Sequence, residues 1–356
     1  MSKISRLRKE ILRHRIDGIL ITDLTNVRYL TGFTGSSGFA VVTARNAIFA
    51  TDFRYQEQAR HEIHKGFSIK IEHTERSREI KNICDVYGIK KLGFEDHDIT
   101  YGFYKKLNRI KVTLRSITHC IEALRIIKSP EEMSLIKKSI QRAERAFKRL
   151  LPYVKAGAVE RKLALKFEEL LKEYGCKKLP FEVIVASGPM SALPHAKPTN
   201  RKIKKGDLVV IDWGGEYEGY CSDMTRTVLV RGENISRQKE LYITVLEAQQ
   251  RAIEKIRDGI KSADIDAAAR DYIKSKGYDE YFGHGTGHGV GMEVHEQPVV
   301  SWRSSEIVRE NMVFTIEPGI YLPGFGGVRI EDMAAVCKGG AEMLTSLPHT
   351  LKIVEV

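Results

Sequence analysis

The stretch DLVVIDWGGEYEGYCSDMTRT, residues 207–227, decides how this chain is interpreted. Two apolar runs typical of β-strands flank a Gly-rich turn, which predicts a β-hairpin. The hairpin would bring Asp212 and Asp223 side by side. Facing carboxylates repel each other unless a cation lies between them, and one divalent ion accepts several oxygen ligands. The two aspartates are therefore candidate metal ligands, although such pairs also occur in solvated turns.

A segment rich in glycine and histidine follows at residues 282–298, FGHGTGHGVGMEVHEQP. It carries His284, His288 and His295. Glycine lets the backbone approach a ligand closely, and neutral imidazole serves as a metal ligand or as a proton carrier near neutral pH. A single histidine would more often be structural, but three in this context predict a functional loop. The spacing alone does not say which of them binds metal.

Two glutamates lie inside apolar, strand-like segments, Glu317 in TIEPGIY (315–321) and Glu331 in GVRIEDM (327–333). A buried carboxylate is costly unless it is paired or bound to metal. Arg329 stands two residues before Glu331, so both side chains would point to the same side of a strand. An ion pair between these two residues is the alternative to metal ligation.

The composition is that of an ordinary globular protein with room for two domains, since 42% of the 356 residues are hydrophobic and 29% are charged. No apolar run approaches the length of a transmembrane helix, and the first residues lack the apolar region of a secretory signal. Five scattered cysteines without Cys-x-x-Cys spacing indicate reduced thiols. We therefore expect a cytoplasmic protein with no membrane partner.

The net charge of +12 and the pI near 9.3 raise the alternative of a nucleic-acid partner. The basic residues are dispersed, however. In KKSIQRAERAFKR (137–149) they alternate with apolar positions at helical spacing, which is typical of a solvated helix face. No nucleic-acid partner is expected.

The chain divides into two regions with different patterns. Helical and strand-like segments alternate up to about residue 122, which predicts an α/β domain. Near 125–132, Ser129, Pro130 and Glu132 supply the N-cap, the first-turn proline and the capping-box glutamate of a long helix. Beyond it, the patterns predict a strand from Glu182 and helices at 158–174, 236–257 and 262–276.

Several phrases in the chain closely resemble the aminopeptidase P and prolidase branch of the pita-bread metallopeptidases, and they come in that family's order. They are ALPHAKP (192–198) together with the segments around Asp212, Asp223, His288, Glu317 and Glu331. TNVRYLTGFTGSSG (25–38) and TDFRY (51–55) resemble the creatinase-type N-terminal domain of the same proteins. The resemblance implies an α+β fold, with an α/β creatinase-like N-terminal domain at residues 1–122 and a pita-bread catalytic domain at residues 123–356.

The resemblance also implies a complete set of site residues. The dinuclear metal ligands would be Asp212, Asp223, His288, Glu317 and Glu331. The catalytic and substrate-side residues would be Glu317, His195, His284, His295 and Arg329. In these roles Glu317 is the acid/base, His195 stabilises the oxyanion, His284 and His295 hold the substrate, and Arg329 orients a metal-ligating carboxylate.

Four carboxylates and one imidazole form an oxygen-rich ligand set. It suits two divalent ions, with Mn²⁺ as the first choice and Co²⁺, Fe²⁺ or Zn²⁺ as alternatives. Two such ions about 3.5–4 Å apart lower the pKa of a shared water toward neutrality, so that hydroxide attacks the scissile carbonyl. The family assigns transfer of the water's proton to the glutamate that matches Glu317.

Three functions stay open at this point. The first is an Xaa-Pro aminopeptidase acting on peptides with proline at the second position. The second is a prolidase that cleaves only Xaa-Pro dipeptides with the same metals and histidines. The third is a catalytically silent peptide-binding module on the same fold. A homodimer is a further expectation from the resemblance.

Overall fold

The computed structural model describes residues 2–355, and these divide between Arg125 and Ile126 into two compact units. The first unit alternates helices and strands. Its strands are β1 (Gly18–Ile21), β2 (Phe39–Thr43), β3 (Ala47–Thr51), β4 (Ser68–Ile71), β5 (Lys91–Glu95) and β6 (Thr113–Ile117). Its helices are α1 (Lys3–Arg13), α2 (Leu24–Thr31), α3 (Gln56–Glu62), α4 (Arg76–Tyr87), α5 (Tyr101–Leu107) and α6 (Cys120–Arg125).

Within the described part of this unit, the strands form one six-stranded sheet in the order β4-β3-β2-β1-β5-β6. The pairs β1–β2 and β2–β3 are antiparallel, whereas β3–β4, β1–β5 and β5–β6 are parallel. The central strands β1, β2 and β3 are buried along their whole length, as expected for strands that are covered on both faces.

The second unit contains two pairs of long helices. They are α7 (Pro130–Leu150), α8 (Glu160–Glu173), α9 (Ser236–Lys255) and α10 (Ser262–Ser275). Helix α7 begins at the predicted Pro130, and the other three lie within two residues of their predicted bounds. Ser129 and Glu132 form the predicted capping box at the start of α7. None of the helices in residues 2–355 has the length and apolar character needed to span a bilayer.

Each helix pair packs against its own group of strands. Helices α7 and α8 cover a four-stranded sheet. Its strands are β7 (Ile184–Ser187), β8 (Leu208–Trp213), β11 (Met224–Val230) and β19 (Lys352–Val354). Two short strands, β9 (Glu216–Tyr217) and β10 (Tyr220–Cys221), lie between β8 and β11 in the chain. Helices α9 and α10 cover a five-stranded sheet. Its strands are β12 (Gly287–Gly289), β13 (Glu296–Val300), β14 (Val313–Ile316), β17 (Asp332–Cys337) and β18 (Gly340–Met343). The hairpin of β15 (Gly319–Leu322) and β16 (Gly326–Arg329) packs against the same helices.

Aromatic packing anchors the first helix pair to its sheet. Trp213 at the end of β8 is fully buried, and its ring stacks on Phe147 of α7 with centroids 4.3 Å apart. The indole N–H donates to the carbonyl of Ala143, 3.2 Å away. This packing fixes the end of β8, and with it the neighbouring residue Asp212.

Candidate metal centre and substrate cavity

Asp212 and Asp223 lie close together because β8 and β11 form the predicted hairpin. In its register, Trp213 pairs with Met224 and Asp212 pairs with Thr225. Asp223 immediately precedes β11, so its side chain lies on the same face as that of Thr225, two residues further on. The short β9–β10 hairpin fills the turn between the two strands.

His288 is held in β12 between two glycines that the packing requires. A Cβ atom at Gly287 would collide with the backbone carbonyl of Thr315, and one at Gly289 would collide with that of Gln297. The Nδ1 atom of His288 lies 3.1 Å from the carbonyl oxygen of Gly289. A neutral ring that donates from Nδ1 leaves the lone pair of Nε2 directed at the site.

The two glutamates lie just outside strands, whereas the sequence pattern predicts them inside strand-like segments. Glu317 follows β14, where Pro318 supplies no N–H to continue the ladder. Its own N–H donates to the carbonyl of Thr286 at 2.7 Å. Glu331 lies between β16 and β17 and forms an isolated bridge with Thr225. Both positions border the same cavity.

The structure brings the five predicted metal ligands together. Nε2 of His288 lies 3.5 Å from Oδ2 of Asp223 and 3.6 Å from Oε1 of Glu317. One ligating atom from each of Asp223, His288 and Glu331 lies within 4.8 Å of the others. Asp212 lines the same cavity, and its Oδ1 is buried without a hydrogen-bond partner among the described residues.

The electrostatics of this cluster are unfavourable without cations. Burial raises the pKa of Asp223 and of Glu331 well above the ordinary values, and the neighbouring carboxylates, Asp212 and Glu317 among them, raise both further. Burial also raises the pKa of Glu317. In contrast, burial lowers the pKa of His288, which keeps its imidazole neutral and able to ligate. These side chains fit a pair of divalent cations, because cations would offset the repulsion and occupy the unpartnered oxygen.

Arg329 pairs with Asp212, and the alternative ion pair with Glu331 is wrong. Its Nη2 donates to Oδ2 of Asp212 at 2.6 Å, and its Nε donates to Oγ1 of Thr225 at 3.1 Å. The same Thr225 hydroxyl donates to Oε2 of Glu331 at 2.8 Å. Arg329 thus orients one carboxylate of the cluster directly and supports a second through a shared hydroxyl.

A hydrogen-bond chain links Arg329 to His284. Nη1 of Arg329 donates to the Tyr321 hydroxyl at 2.9 Å, and this hydroxyl lies 2.9 Å from Nε2 of His284. Nδ1 of His284 lies 2.8 Å from the carbonyl oxygen of Gly285, so the neutral ring donates there and accepts from Tyr321. Burial lowers the pKa of His284, which favours this neutral form.

His195 and His295 line the same cavity but are held less tightly. The ring of His295 lies 4.3 Å from that of His288, and burial lowers its pKa. Neither side chain has a hydrogen-bond partner within the part of the chain that the structure describes. Their ring nitrogens are therefore available to a substrate, whereas both nitrogens of His284 are engaged.

The cavity has a volume of about 560 Å³. Beyond the predicted residues it has an apolar wall of Phe181, Val299 and Trp302 and a cation at Arg303. Trp302 is 45% exposed, which is unusual for so large an apolar side chain. The guanidinium of Arg303 lies 5.2 Å from the Trp302 ring centroid.

The sequence interpretation missed these walls and two supporting residues, Thr225 and Tyr321. A signal for Thr225 was present, since it stands two residues after Asp223 in a strand-like segment and so shares its face. The adjacent Trp302 and Arg303 carried a weaker signal, because the chain has only two tryptophans and this one follows the histidine-rich loop.

The fold and the site define a metal-dependent hydrolase, in which buried carboxylates and an imidazole converge at the floor of a cavity. The chain belongs to Metallopeptidase family M24, whose family model matches residues 134–338. The model of the Creatinase/Prolidase N-terminal domain matches residues 3–127. The resemblance and the fold class inferred from the sequence motifs are confirmed.

Relatives match over nearly the whole chain. An uncharacterized peptidase of Bacillus subtilis, YqhT, is 44% identical over 99% of this chain and 100% of its own length. The structure of an Xaa-Pro dipeptidase from Bacillus anthracis is 40% identical, covers 99% of each chain and superposes with a TM-score of 0.96. The X-Pro aminopeptidase from Thermotoga maritima is 35% identical, covers 99% of this chain and 100% of its own, and superposes with a TM-score of 0.90.

Proposed function

We propose that this chain is a dinuclear metal-dependent peptidase that hydrolyses the bond between an N-terminal residue and a following proline. The observation that carries the proposal is the convergence of Asp212, Asp223, His288, Glu317 and Glu331 at the floor of a cavity, with raised carboxylate pKa values and an unpartnered oxygen. The Xaa-Pro specificity of the two similar solved structures supports the substrate class.

These five residues would hold two divalent cations, with Mn²⁺ as our first choice for an oxygen-rich set. When bound, the ions would supply water activation and polarisation of the scissile carbonyl. Glu317, which borders the cavity beside His288, would accept the proton of the attacking water. It would return that proton to the proline nitrogen, which carries no hydrogen and must be protonated as the bond breaks.

The histidines divide the remaining tasks. His195 and His295 have free ring nitrogens, so they are suited to donate to the carbonyl oxygen that gains charge during attack. His284 lines the same cavity, but both of its ring nitrogens are engaged by Tyr321 and Gly285, so it is less suited than His295 to hold the substrate. Arg329 orients the carboxylate of Asp212 through its hydrogen bond.

The length of the substrate is the finer question, and Arg303 favours a dipeptide. Lys197 also lines the cavity, but Glu182 lies 3.6 Å from its ammonium group and offsets its charge. Arg303 forms no ion pair with the described residues. A free guanidinium in a cavity is suited to a carboxylate, and in an Xaa-Pro dipeptide that group lies on the proline itself.

The second candidate is an Xaa-Pro aminopeptidase that acts on longer peptides. It is the first of the functions that the sequence motifs imply, and the Thermotoga maritima relative favours it. The two activities share their metal ligands and histidines, so the difference lies in what contacts the carboxyl side of proline. The dipeptidase requires Arg303 to bind the proline carboxylate, and the aminopeptidase does not.

The test compares Gly-Pro, Gly-Pro amide and Gly-Pro-Ala as substrates of the Mn²⁺-loaded parent and of Arg303→Met. For a dipeptidase, the parent prefers Gly-Pro, and the variant raises the KM for Gly-Pro about 10- to 100-fold, the value of a charge-assisted hydrogen bond. Efficient cleavage of all three substrates, unaffected by the substitution, would establish the aminopeptidase instead. Arg309→Met is the matched control, because Arg309 is exposed in the same unit and does not line the cavity.

A variant without a proposed metal ligand tests whether the cleavage depends on metal. Asp223→Ala should abolish cleavage of every substrate. Peptide binding without metal-dependent turnover, in the parent as well as in this variant, would support the silent peptide-binding module.

A further inference from the structure

Two histidines and a glutamate meet at one edge of the sheet in the first unit. Strands β5 and β6 are parallel neighbours, and their register pairs Glu95 with Ile117. His97 and His119 each stand two residues beyond these paired positions, so both lie past the carboxyl ends of their strands. Glu122 follows within the first turn of α6. The topology therefore places three metal-ligating side chain types at one point.

The side chains are close enough to share one ion. A ligating atom of each of His97, His119 and Glu122 lies within 4.8 Å of the other two. Nε2 of His97 lies 3.0 Å from Oε1 of Glu122. The two imidazole rings stack with centroids 5.1 Å apart and planes inclined by 30°.

Residues behind the cluster hold the side chain of Glu122, and a carboxylate lies near His97. Asn26 donates from Nδ2 to Oε1 of Glu122 at 2.6 Å, and Arg125 donates to Oδ1 of Asn26 at 2.9 Å. Oδ1 of Asp96 lies 3.9 Å from Nδ1 of His97, on the side of the ring opposite to Glu122. At this distance Asp96 faces His97 without a hydrogen bond, so it contributes only electrostatic attraction.

Two features are hard to explain by packing alone. Oε2 of Glu122 is buried without a hydrogen-bond partner among the described residues, although buried polar atoms are normally satisfied. His119 has a φ of +50°, a left-handed conformation that residues other than glycine adopt rarely. The first leaves an oxygen for a cation, and the second turns the imidazole toward His97.

We propose that His97, His119 and Glu122 bind a divalent transition-metal ion, for which Zn²⁺ fits the donor set. Two imidazoles favour Zn²⁺ over Mg²⁺ or Ca²⁺, which prefer oxygen ligands. Three protein ligands leave a position for water, and the partial exposure of His97 and Glu122 allows it. Such an ion ties together the ends of β5 and β6 and the start of α6. The proposal does not depend on the activity proposed for the second unit.

The experiment counts bound metal in the full chain. Equilibrium dialysis against Zn²⁺ followed by elemental analysis is made on the Asp223→Ala protein and on the same protein carrying His119→Asn or Glu122→Gln. The Asp223→Ala background weakens the centre in the second unit, so that failure of that centre and failure of this site are separate results. Asparagine at position 119 tolerates the left-handed conformation, which protects the fold.

The expected result is a loss of one equivalent of Zn²⁺ in both substituted proteins. His73→Asn is the matched control, an identical change at an exposed histidine of the same unit, and it should bind as many ions as its parent. Zn²⁺ should also raise the thermal midpoint of unfolding by several degrees in the parent and in His73→Asn, and less in His119→Asn. Equal Zn²⁺ content in the Asp223→Ala protein and in its three further substituted forms would overturn the proposal. His97 and Glu122 would then be only a hydrogen-bonded pair. His97→Gln repeats the test if His119→Asn does not fold.

Discussion

Glu331 and Asp332 are consecutive buried carboxylates with opposite surroundings. Asp332 accepts hydrogen bonds from Arg226 at 2.7 Å, Gln249 at 2.9 Å and Thr345 at 2.6 Å, and it lies 2.9 Å from Nε2 of His349. Within residues 2–355, the side chain of Glu331 accepts a hydrogen bond only from that of Thr225. Burial acts to raise the pKa of both carboxyl groups. Arg226 and the hydrogen bonds outweigh burial at Asp332, so its pKa lies below the ordinary value. At Glu331 the nearby carboxylates act in the same direction as burial, so its pKa lies well above the ordinary value.

The comparison extends to two regions on opposite sides of the same strands. One region, the metal-side cluster, is formed by Asp212, Asp223, Glu317 and Glu331. The other, the structural cluster, is formed by Asp332 with Arg226, Gln249, Thr345 and His349. Strand β11 alternates between them, with Thr225 directed to the first and Arg226 to the second. A buried carboxylate supplied with protein donors stabilises the fold, and one left short of donors is available to a cation.

The largest expected difference concerns activity. Residues that only support a metal ligand typically contribute about 10- to 100-fold to activity. Asp223→Asn should lower kcat/KM by more than this, because it would remove an oxygen that we propose to ligate the metal. The free energy of unfolding without metal should stay the same or increase, because one of several repelling carboxylates is removed. Peptide hydrolysis and urea unfolding in EDTA measure the two quantities. An active Asp223→Asn enzyme would remove Asp223 from the metal-side cluster.

The second expected difference reverses this pattern. Asp332→Asn should cost about 3–5 kcal/mol of stability, because it leaves the charge of Arg226 buried without its partner. Activity per folded molecule should change little, since no atom of Asp332 lines the cavity. Urea unfolding beside Glu331→Gln as the matched substitution measures the contrast. Equal stability loss in the two variants would mean that the adjacent carboxylates have the same structural role.

The sequence predicted the metal-side cluster much better than the structural cluster. Asp212, Asp223, His288, Glu317 and Glu331 each lie in a distinctive local phrase, and local spacing was enough to assign the hairpin between the two aspartates. The helix starting at Pro130 was equally predictable, because its capping box is a local signal. Those phrases nominate the site residues, and their roles remain predictions.

Pairings between distant segments were not predictable from spacing. Arg329 stands two residues from Glu331 but pairs with Asp212, because β16 lies beside β8 in the fold. The structural cluster draws Arg226, Gln249, Asp332 and His349 from four separate segments, none with a local signal. Strand neighbours that are far apart in the chain are set by tertiary packing, which one sequence does not display.

The third expected difference is in pH dependence. Asp223, Glu317 and Glu331 have raised pKa values in the folded protein, so their contribution to stability is complete below the unfolded values of 3.8 and 4.5 and is lost as pH rises through the folded values. Asp332 has a lowered pKa, so its contribution is present above 3.8 and is lost as pH falls. The carboxylates of the metal-side cluster should therefore lower the stability of the metal-free protein as pH rises above their unfolded values. Glu95 in the first unit, whose pKa burial raises to about 7, should add to this loss, whereas the lowered pKa values of His284, His288 and His295 should oppose it.

Divalent cations should cancel that loss. Mn²⁺ at about 100 times its dissociation constant should add about 2.7 kcal/mol, and more of it should appear at pH 8 than at pH 5, because protons compete with the metal for the carboxylates. Tryptophan fluorescence reports on the second unit, since Trp213 and Trp302 are the only tryptophans of the chain. Urea unfolding at both pH values, with Mn²⁺ or with EDTA, makes the measurement. A metal-independent pH profile would contradict the cation role of the cluster.

The smallest expected difference concerns two buried threonines, each of which donates one hydrogen bond to one of the compared carboxylates. Thr345 donates to Asp332, and Thr225 donates to Glu331. Thr345→Val should cost about 1.5–3 kcal/mol of stability, the value of a hydrogen bond to a charged group, with kcat/KM unchanged. Thr225→Val should lower kcat/KM about 10-fold, because it removes the donor that holds Glu331, a proposed metal ligand, and the acceptor of the Arg329 Nε–H. Its stability cost without metal should be of similar size, since the Nε–H of buried Arg329 loses its partner. The two variants should therefore differ in peptide hydrolysis and not in urea unfolding. Equal kcat/KM in the two variants would show that stability and catalysis are not divided between the two sides of these strands.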